Sequence, residues 1–272
     1  MKRAARSNGQ RPGNSLVVRC YRFTRTCVHV AAGVGTTMFV FPLVSPERRR
    51  HIVKRWSGRL LRILNIEARV EGSLAAAGNV LVVANHISWL DIFVLNAHHP
   101  VRFVAKSELA RWPVVSQMIK GAGTVFIERE RRRDTHRVNE DMARVLASGD
   151  VVAIFPEGTT TDGTDLLPFK SSLLQPIVDA QGHVQPVAIR YRDHAGEHAM
   201  AAAYVGDTTF AQSFWAVCGE RTLTVELHAA PALPARSAHR RTLARDAEAA
   251  IRTALAAAAP AKAPARGDGP AG

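Results

Sequence analysis

Asn79-Val80-Leu81-Val82-Val83-Ala84-Asn85-His86-Ile87-Ser88-Trp89-Leu90-Asp91 is the stretch from which the fold is read. Its first six residues are short, apolar and rich in valine, as a strand buried on both faces must be. Asn85, His86 and Ser88 then interrupt the run with polar groups, and Ile87–Ala97 carries the 3.6-residue spacing of a helix. A strand that feeds a helix through a polar turn is the building unit of α/β proteins, which gather their sites beyond strand ends.

Working outward, short β-branched runs recur at Val101–Val104, Thr124–Ile127, Val151–Phe155, Val184–Ile189 and Thr222–Leu227. Helical spacing lies between them at Pro113–Lys120, Asp134–Ala147 and Ser171–Ala180. This alternation predicts an α/β domain with a mostly parallel sheet and crossover helices. A last helix is expected over Ala238–Ala258, and the Ala/Pro-rich residues 259–272 are expected to form a disordered tail.

The chain carries 36 Lys+Arg against 23 Asp+Glu, a formal charge of +13, which favours polyanionic partners. Much of that excess brackets Cys27–Val44, an apolar run without formal charge. Arg19, Arg22 and Arg25 precede it, and Arg48, Arg49, Arg50, Lys54 and Arg55 follow. A single span leaves its excess basic residues on one side, whereas here both flanks are basic. The pattern predicts a membrane-associating helical region over residues 1–56, monotopic or a single span, broken near Gly33, Gly35 and Pro42. The α/β domain is then expected over residues 57–258.

Cys20, Cys27 and Cys218 are an odd number without metal-ligand spacing, which argues for inert, partly buried thiols in a reducing compartment. The histidines are scattered, so no metal site is expected. No helix-turn-helix, zinc or aromatic-interleaved pattern supports nucleic-acid binding.

Within the opening stretch, a neutral His86 is suited to take a proton from an attacking hydroxyl. Asp91 would fix its tautomer and steady the imidazolium. Five residues along one helix would set the two side chains about 140° apart, so His86 must sit in the turn and Asp91 inside the helix if they are to meet. Taken alone, such a pair recurs by chance. A second polar turn, Phe155-Pro156-Glu157-Gly158-Thr159-Thr160-Thr161-Asp162-Gly163, follows another strand and is rich in hydroxyls and backbone N–H groups. Gly123–Arg129 is a strand ending in charge, where Arg129 could bind a phosphate but, taken alone, reads as a surface arginine; Val184–Ile189 reads as a core strand.

In order and spacing these four blocks resemble the glycerolipid acyltransferases typified by 1-acylglycerol-3-phosphate acyltransferases, over about Val70 to Leu227. NHISWLD and FPEGT are the specific parts. The resemblance implies that His86 is the general base and Asp91 its orienting partner. Glu157, Gly158, Thr159 and Thr160 would shape the acceptor site, with Arg129 and Lys106 offering charge. It also implies acyl-CoA or acyl-carrier protein as co-substrate, no cofactor, membrane lipids and a lysophospholipid as partners, and a place on the cytoplasmic face of the inner membrane.

Thr160 departs from the family pattern, which has arginine there. One hydroxyl cannot replace a charged, bidentate fork. Either Arg129, Lys106 or Lys170 supplies the charge, or the acceptor differs. FPEGTTTDG also resembles the branch that acylates lyso-ornithine lipid. A hydrolase using His86 to activate water is the rival from another class; a Gly-x-Ser-x-Gly elbow is absent from the sequence.

Overall fold

The computed structural model describes residues 13–74, 78–106, 125–127, 140 and 142–257. Among these residues eight strands form one sheet, in the order β1-β7-β6-β2-β5-β3-β4, with β8 paired to β6. The strands are β1 Ile66–Glu71, β2 Val80–Ala84, β3 Arg102–Lys106, β4 Val125–Ile127, β5 Val151–Ile154, β6 His183–Arg192, β7 Leu223–Ala229 and β8 Leu233–Pro234. Five pairings are parallel. Only β6–β7 and β6–β8 run antiparallel. The sheet is therefore mixed but mostly parallel, as the alternation of elements predicts.

β2 lies near the middle and is buried along its whole length. Val80, Val82 and Ala84 face one core, while Leu81 and Val83 face the other. The first core is covered by helices α2 (Pro46–Leu64), α3 (Leu90–His98) and α4 (Phe210–Gly219). The second lies under residues 142–147, the turn Ser171–Leu174, the short helix Gln175–Asp179 and α5 (Arg240–Ala257). Two buried faces explain why β2 reads as an unbroken apolar run rather than an alternating one. The expected helix Pro113–Lys120, the first part of Asp134–Ala147 and the tail from residue 259 lie outside the described residues.

The N-terminal region differs from expectation in its extent. The apolar helix starts at Leu16, well before Cys27; α1 runs Leu16–Gly35, straight through Gly33. It passes into a π turn at Thr36–Val40 and a 3₁₀ turn at Phe41–Leu43, where Pro42 denies the helix a donor. Thr36 and Thr37 donate their hydroxyls back to Ala32 and Val34 carbonyls, which hides both polar groups. Ser45 then caps α2, with Pro46 at its first position and Asn65 closing it in the left-handed region at φ 58°. α2 runs unbroken through residues 56 and 57, where the two regions were expected to meet.

Arg22 and His29 fasten α1. Its Arg22 is buried and donates to the carbonyls of Cys218, Glu220 and Arg221, at the C-terminal end of α4. A cation at unsatisfied helix carbonyls is favourable through both hydrogen bonding and the helix dipole. His29 stacks on Trp56 of α2 at 4.5 Å, and Trp56 Nε1 donates to the His29 carbonyl at 3.2 Å. The opposite side of the region is apolar and open: Val17, Val28, Phe39 and Leu43 are 78%, 65%, 72% and 83% exposed. Leu16–Leu43 is long and apolar enough to cross a membrane and is mostly unburied, which fits membrane association better than a core helix. Cys20 and Cys27 lie exposed on α1, contrary to the expectation of partial burial; Cys218 is buried, and burial pushes its thiol up to about 11.

Candidate active site

β2 delivers the chain to the site and releases it there. The β2–β6 ladder ends at Ala84 opposite Val187. Beyond it the Asn85 side chain stands in for a peptide group: its Oδ1 accepts from Ile189 N–H at 2.7 Å and its Nδ2 donates to Ile189 O at 3.0 Å. The sheet's last backbone groups are thus satisfied while the main chain turns away. Residues 86–88 form that turn, and α3 starts at Leu90.

His86 sits in the turn and Asp91 in the first helical turn, the division that the five-residue spacing demanded. His86 Nδ1 and Asp91 Oδ2 are 2.8 Å apart. The same oxygen accepts the N–H groups of Ile87 at 2.8 Å and Ser88 at 2.9 Å. The other oxygen, Oδ1, accepts the Tyr191 hydroxyl at 2.8 Å. Asp91 is fully buried, yet these donors and the N-terminus of α3 stabilise its charge. With Nδ1–H donating to a carboxylate, Nε2 is the nitrogen left with a lone pair. The ring lies flat against Phe155, 4.0 Å away and 8° from parallel, and its side chain is 20% exposed. It is fixed on one side and reachable on the other.

The second polar turn packs against the first. Glu157 is 3% exposed and divides its oxygens between two backbone donors, His86 N–H to Oε1 at 2.8 Å and Leu167 N–H to Oε2 at 2.9 Å. Burial pushes its carboxyl above the ordinary value, while those two N–H groups and the His86 ring work against the rise. Thr161 N–H donates to the His86 carbonyl at 2.8 Å. Gly163, at φ +84°, passes so close that a Cβ there would lie 2.7 Å from Ile87 Cδ1. Gly158 closes the turn at φ 77°, its N–H on the Phe155 carbonyl at 3.1 Å. The half-buried Thr160 donates its hydroxyl to the Tyr204 carbonyl, and Tyr204 N–H donates to the Ile87 carbonyl at 2.9 Å.

The structure thus brings together His86, Asp91, Glu157, Gly158 and Thr160, with Thr159 exposed beside them. Lys106 ends β3, its side chain outside the description, and Arg129 lies outside the described residues. Lys170 is exposed, and its N–H reaches the Pro156 carbonyl at 3.0 Å, which places it beside the second turn. Sequence reasoning overlooked Tyr191 and Tyr204. For Tyr191 a signal existed: Val187, Ile189 and Tyr191 alternate onto one face of β6, the face that α3 covers.

Residues 65–190 match the family model described as Acyltransferase. A 1-acyl-sn-glycerol-3-phosphate acyltransferase of Neisseria meningitidis serogroup B is 39% identical over 183 residues, 67% of this chain and 71% of that protein. A lyso-ornithine lipid O-acyltransferase of Pseudomonas aeruginosa is 36% identical over 212 residues, 78% of this chain and 81% of that protein. The crystal structure of the 1-acyl-sn-glycerophosphate (LPA) acyltransferase PlsC from Thermotoga maritima shares the fold, with a TM-score of 0.69 at 22% identity over 91% of this chain and 97% of that one.

Proposed function

The chain belongs to the acyltransferase family, and from that premise we propose that it moves a fatty acyl group from a thioester to a lysolipid hydroxyl at the cytoplasmic face of the inner membrane. The observation that carries the chemistry is the 2.8 Å contact between His86 Nδ1 and the buried Asp91 carboxylate. In this reading Nε2 takes the proton of the acceptor hydroxyl as its oxygen attacks the thioester carbonyl. Collapse of the tetrahedral intermediate breaks the C–S bond, and the departing sulfur receives that proton. Asp91 stabilises the imidazolium between the two transfers. The donor is acyl-CoA or acyl-carrier protein.

The acceptor we favour is 1-acyl-sn-glycerol 3-phosphate, giving phosphatidic acid. Its phosphate would meet Lys170, Lys106 or Arg129. A specific observation supports a second reading: Thr160 spends its hydroxyl on the Tyr204 carbonyl and so offers the acceptor no donor. That arrangement suits an acceptor without a phosphomonoester, and lyso-ornithine lipid is the alternative.

Offering lysophosphatidic acid and lyso-ornithine lipid side by side in detergent, with labelled acyl-CoA or acyl-carrier protein, separates the readings. Labelled phosphatidic acid is expected. Label only in ornithine lipid would replace the first reading with the second. Release of free fatty acid, unchanged by either acceptor, would remove both.

A further inference from the structure

We propose that Tyr191 is a positioning residue of the reaction, holding Asp91 as an ionised, single-conformer acceptor for His86; this rests on the reading of His86 as the base. Tyr191 stands on β6, and its ring packs in the core shared with Leu90 and Val94 of α3. It is among the largest fully buried side chains, and its hydroxyl reaches Asp91 Oδ1 at 2.8 Å.

An ionised carboxylate has about four lone-pair sites. Three donors of the turn, His86 Nδ1–H, Ile87 N–H and Ser88 N–H, converge on Oδ2. Tyr191 supplies the partner that Oδ1 needs in a site without solvent. It also tethers the carboxylate, carried on α3, to β6 of the sheet. Burial and the neighbouring Asp91 charge push the phenol well above its ordinary range, so it keeps its proton and always donates.

Two consequences follow for His86. Without the hydroxyl, Oδ1 is left buried and unpaired, and the turn that carries His86 is held less firmly while the Oδ2–Nδ1 contact remains. The charge that Tyr191 draws off returns to the carboxylate, which then holds the imidazolium proton more tightly. The groups facing this unit are Asp91 on α3, Glu157 after β5 and the stacked Phe155 ring. Glu157 also titrates, and Glu157→Gln identifies its share of any pH profile.

The test is the pH–rate profile of Tyr191→Phe beside wild type and His86→Ala, with circular dichroism to check folding. Phe keeps the packed ring, so kcat should fall about tenfold while KM stays within about twofold. The acid limb of kcat/KM should move up. Site-specific 3-fluorotyrosine at position 191, a stronger donor of nearly the same size, should move that limb down. It provides the readout if Tyr191→Phe does not fold. Unchanged kcat and acid limb in the substituted proteins, with His86→Ala inactive, would overturn the role of Tyr191 and leave the base intact. An active, folded His86→Ala protein would instead remove the base reading itself.

Discussion

The Glu157 carboxylate and the His86 backbone N–H meet at 2.8 Å, joining the turn after β5 to the turn after β2. These strands are neighbours, paired in parallel from Val80–Val151 to Val83–Ile154, so their C-terminal ends emerge side by side. One buried carboxylate therefore sets the height of His86 over the sheet. It holds the turn from below, while Asp91 orients the ring and Phe155 supports its face.

That geometry makes Glu157 a brace, and Glu157→Gln tests it. Glutamine turns a donating NH2 toward one of the two N–H groups, where the carboxyl, neutral or charged, presents an oxygen; that should cost about 1–3 kcal/mol. In a chain of this size that is several degrees of Tm, at roughly 2–4 °C per kcal/mol. Burial raises the wild-type carboxyl, so the folded chain holds that proton more tightly than the unfolded one. Its stabilising share is present at acid pH and is lost as pH rises from the ordinary glutamate range through the raised value. The Tm gap between wild type and Glu157→Gln should accordingly narrow over that window. A gap independent of pH would contradict a buried, titrating brace.

Thr160 makes a separate prediction. Thr160→Val keeps the shape but removes the donor to the Tyr204 carbonyl, which should cost about 1 kcal/mol. Tyr204 N–H also holds the Ile87 carbonyl, so loosening this link should raise the acceptor KM and leave the donor KM unchanged. Steady-state kinetics with each substrate varied in turn checks it; equal changes in both KM values would count against a role confined to the acceptor side.

The open apolar face of the N-terminal region should contact lipid. Burying a large apolar side chain is worth about 1.5–3 kcal/mol, and lipid covers only part of each. Val28→Ser, Phe39→Ser and Leu43→Ser together should therefore weaken sedimentation with anionic vesicles at least about tenfold. Activity in detergent should persist, because none of the three lies in the turns that carry His86 and Glu157. Undiminished sedimentation would mean that lipid does not contact this face.

Much of this was legible in the sequence where one residue type had one physical meaning. β2 and β5 are fully buried, and their apolar runs stood out. The spacing of His86 and Asp91 told where each must lie if they were to meet, one in a turn and one in a helix, while the pairing itself was implied by the family resemblance. β1 escaped notice because it is an edge strand with one well-buried residue, Ile66. α4 was missed although Thr209 and Gln212 form a capping box at its start. The early start of α1 was hidden by arginines, since Arg22 finds its partners on residues 218–221, far along the chain. Tyr191 was obscured in the same way: Arg190 interrupts the apolar run just before it, and the contact that gives it meaning spans 100 residues. Local pattern reveals local structure, whereas buried polar contacts between distant segments become visible only in the fold.

Acyl transfer by His86→Ala, measured beside wild type in detergent with labelled thioester and lysolipid, tests the central claim most directly. Removing the imidazole takes away the proposed acceptor of the hydroxyl proton but leaves Asp91, Glu157 and the sheet in place. A folded variant with no transfer above the enzyme-free control is the predicted result. A folded variant that turns over at a rate near wild type would show that the proton goes elsewhere and that the His86–Asp91 pair is structural.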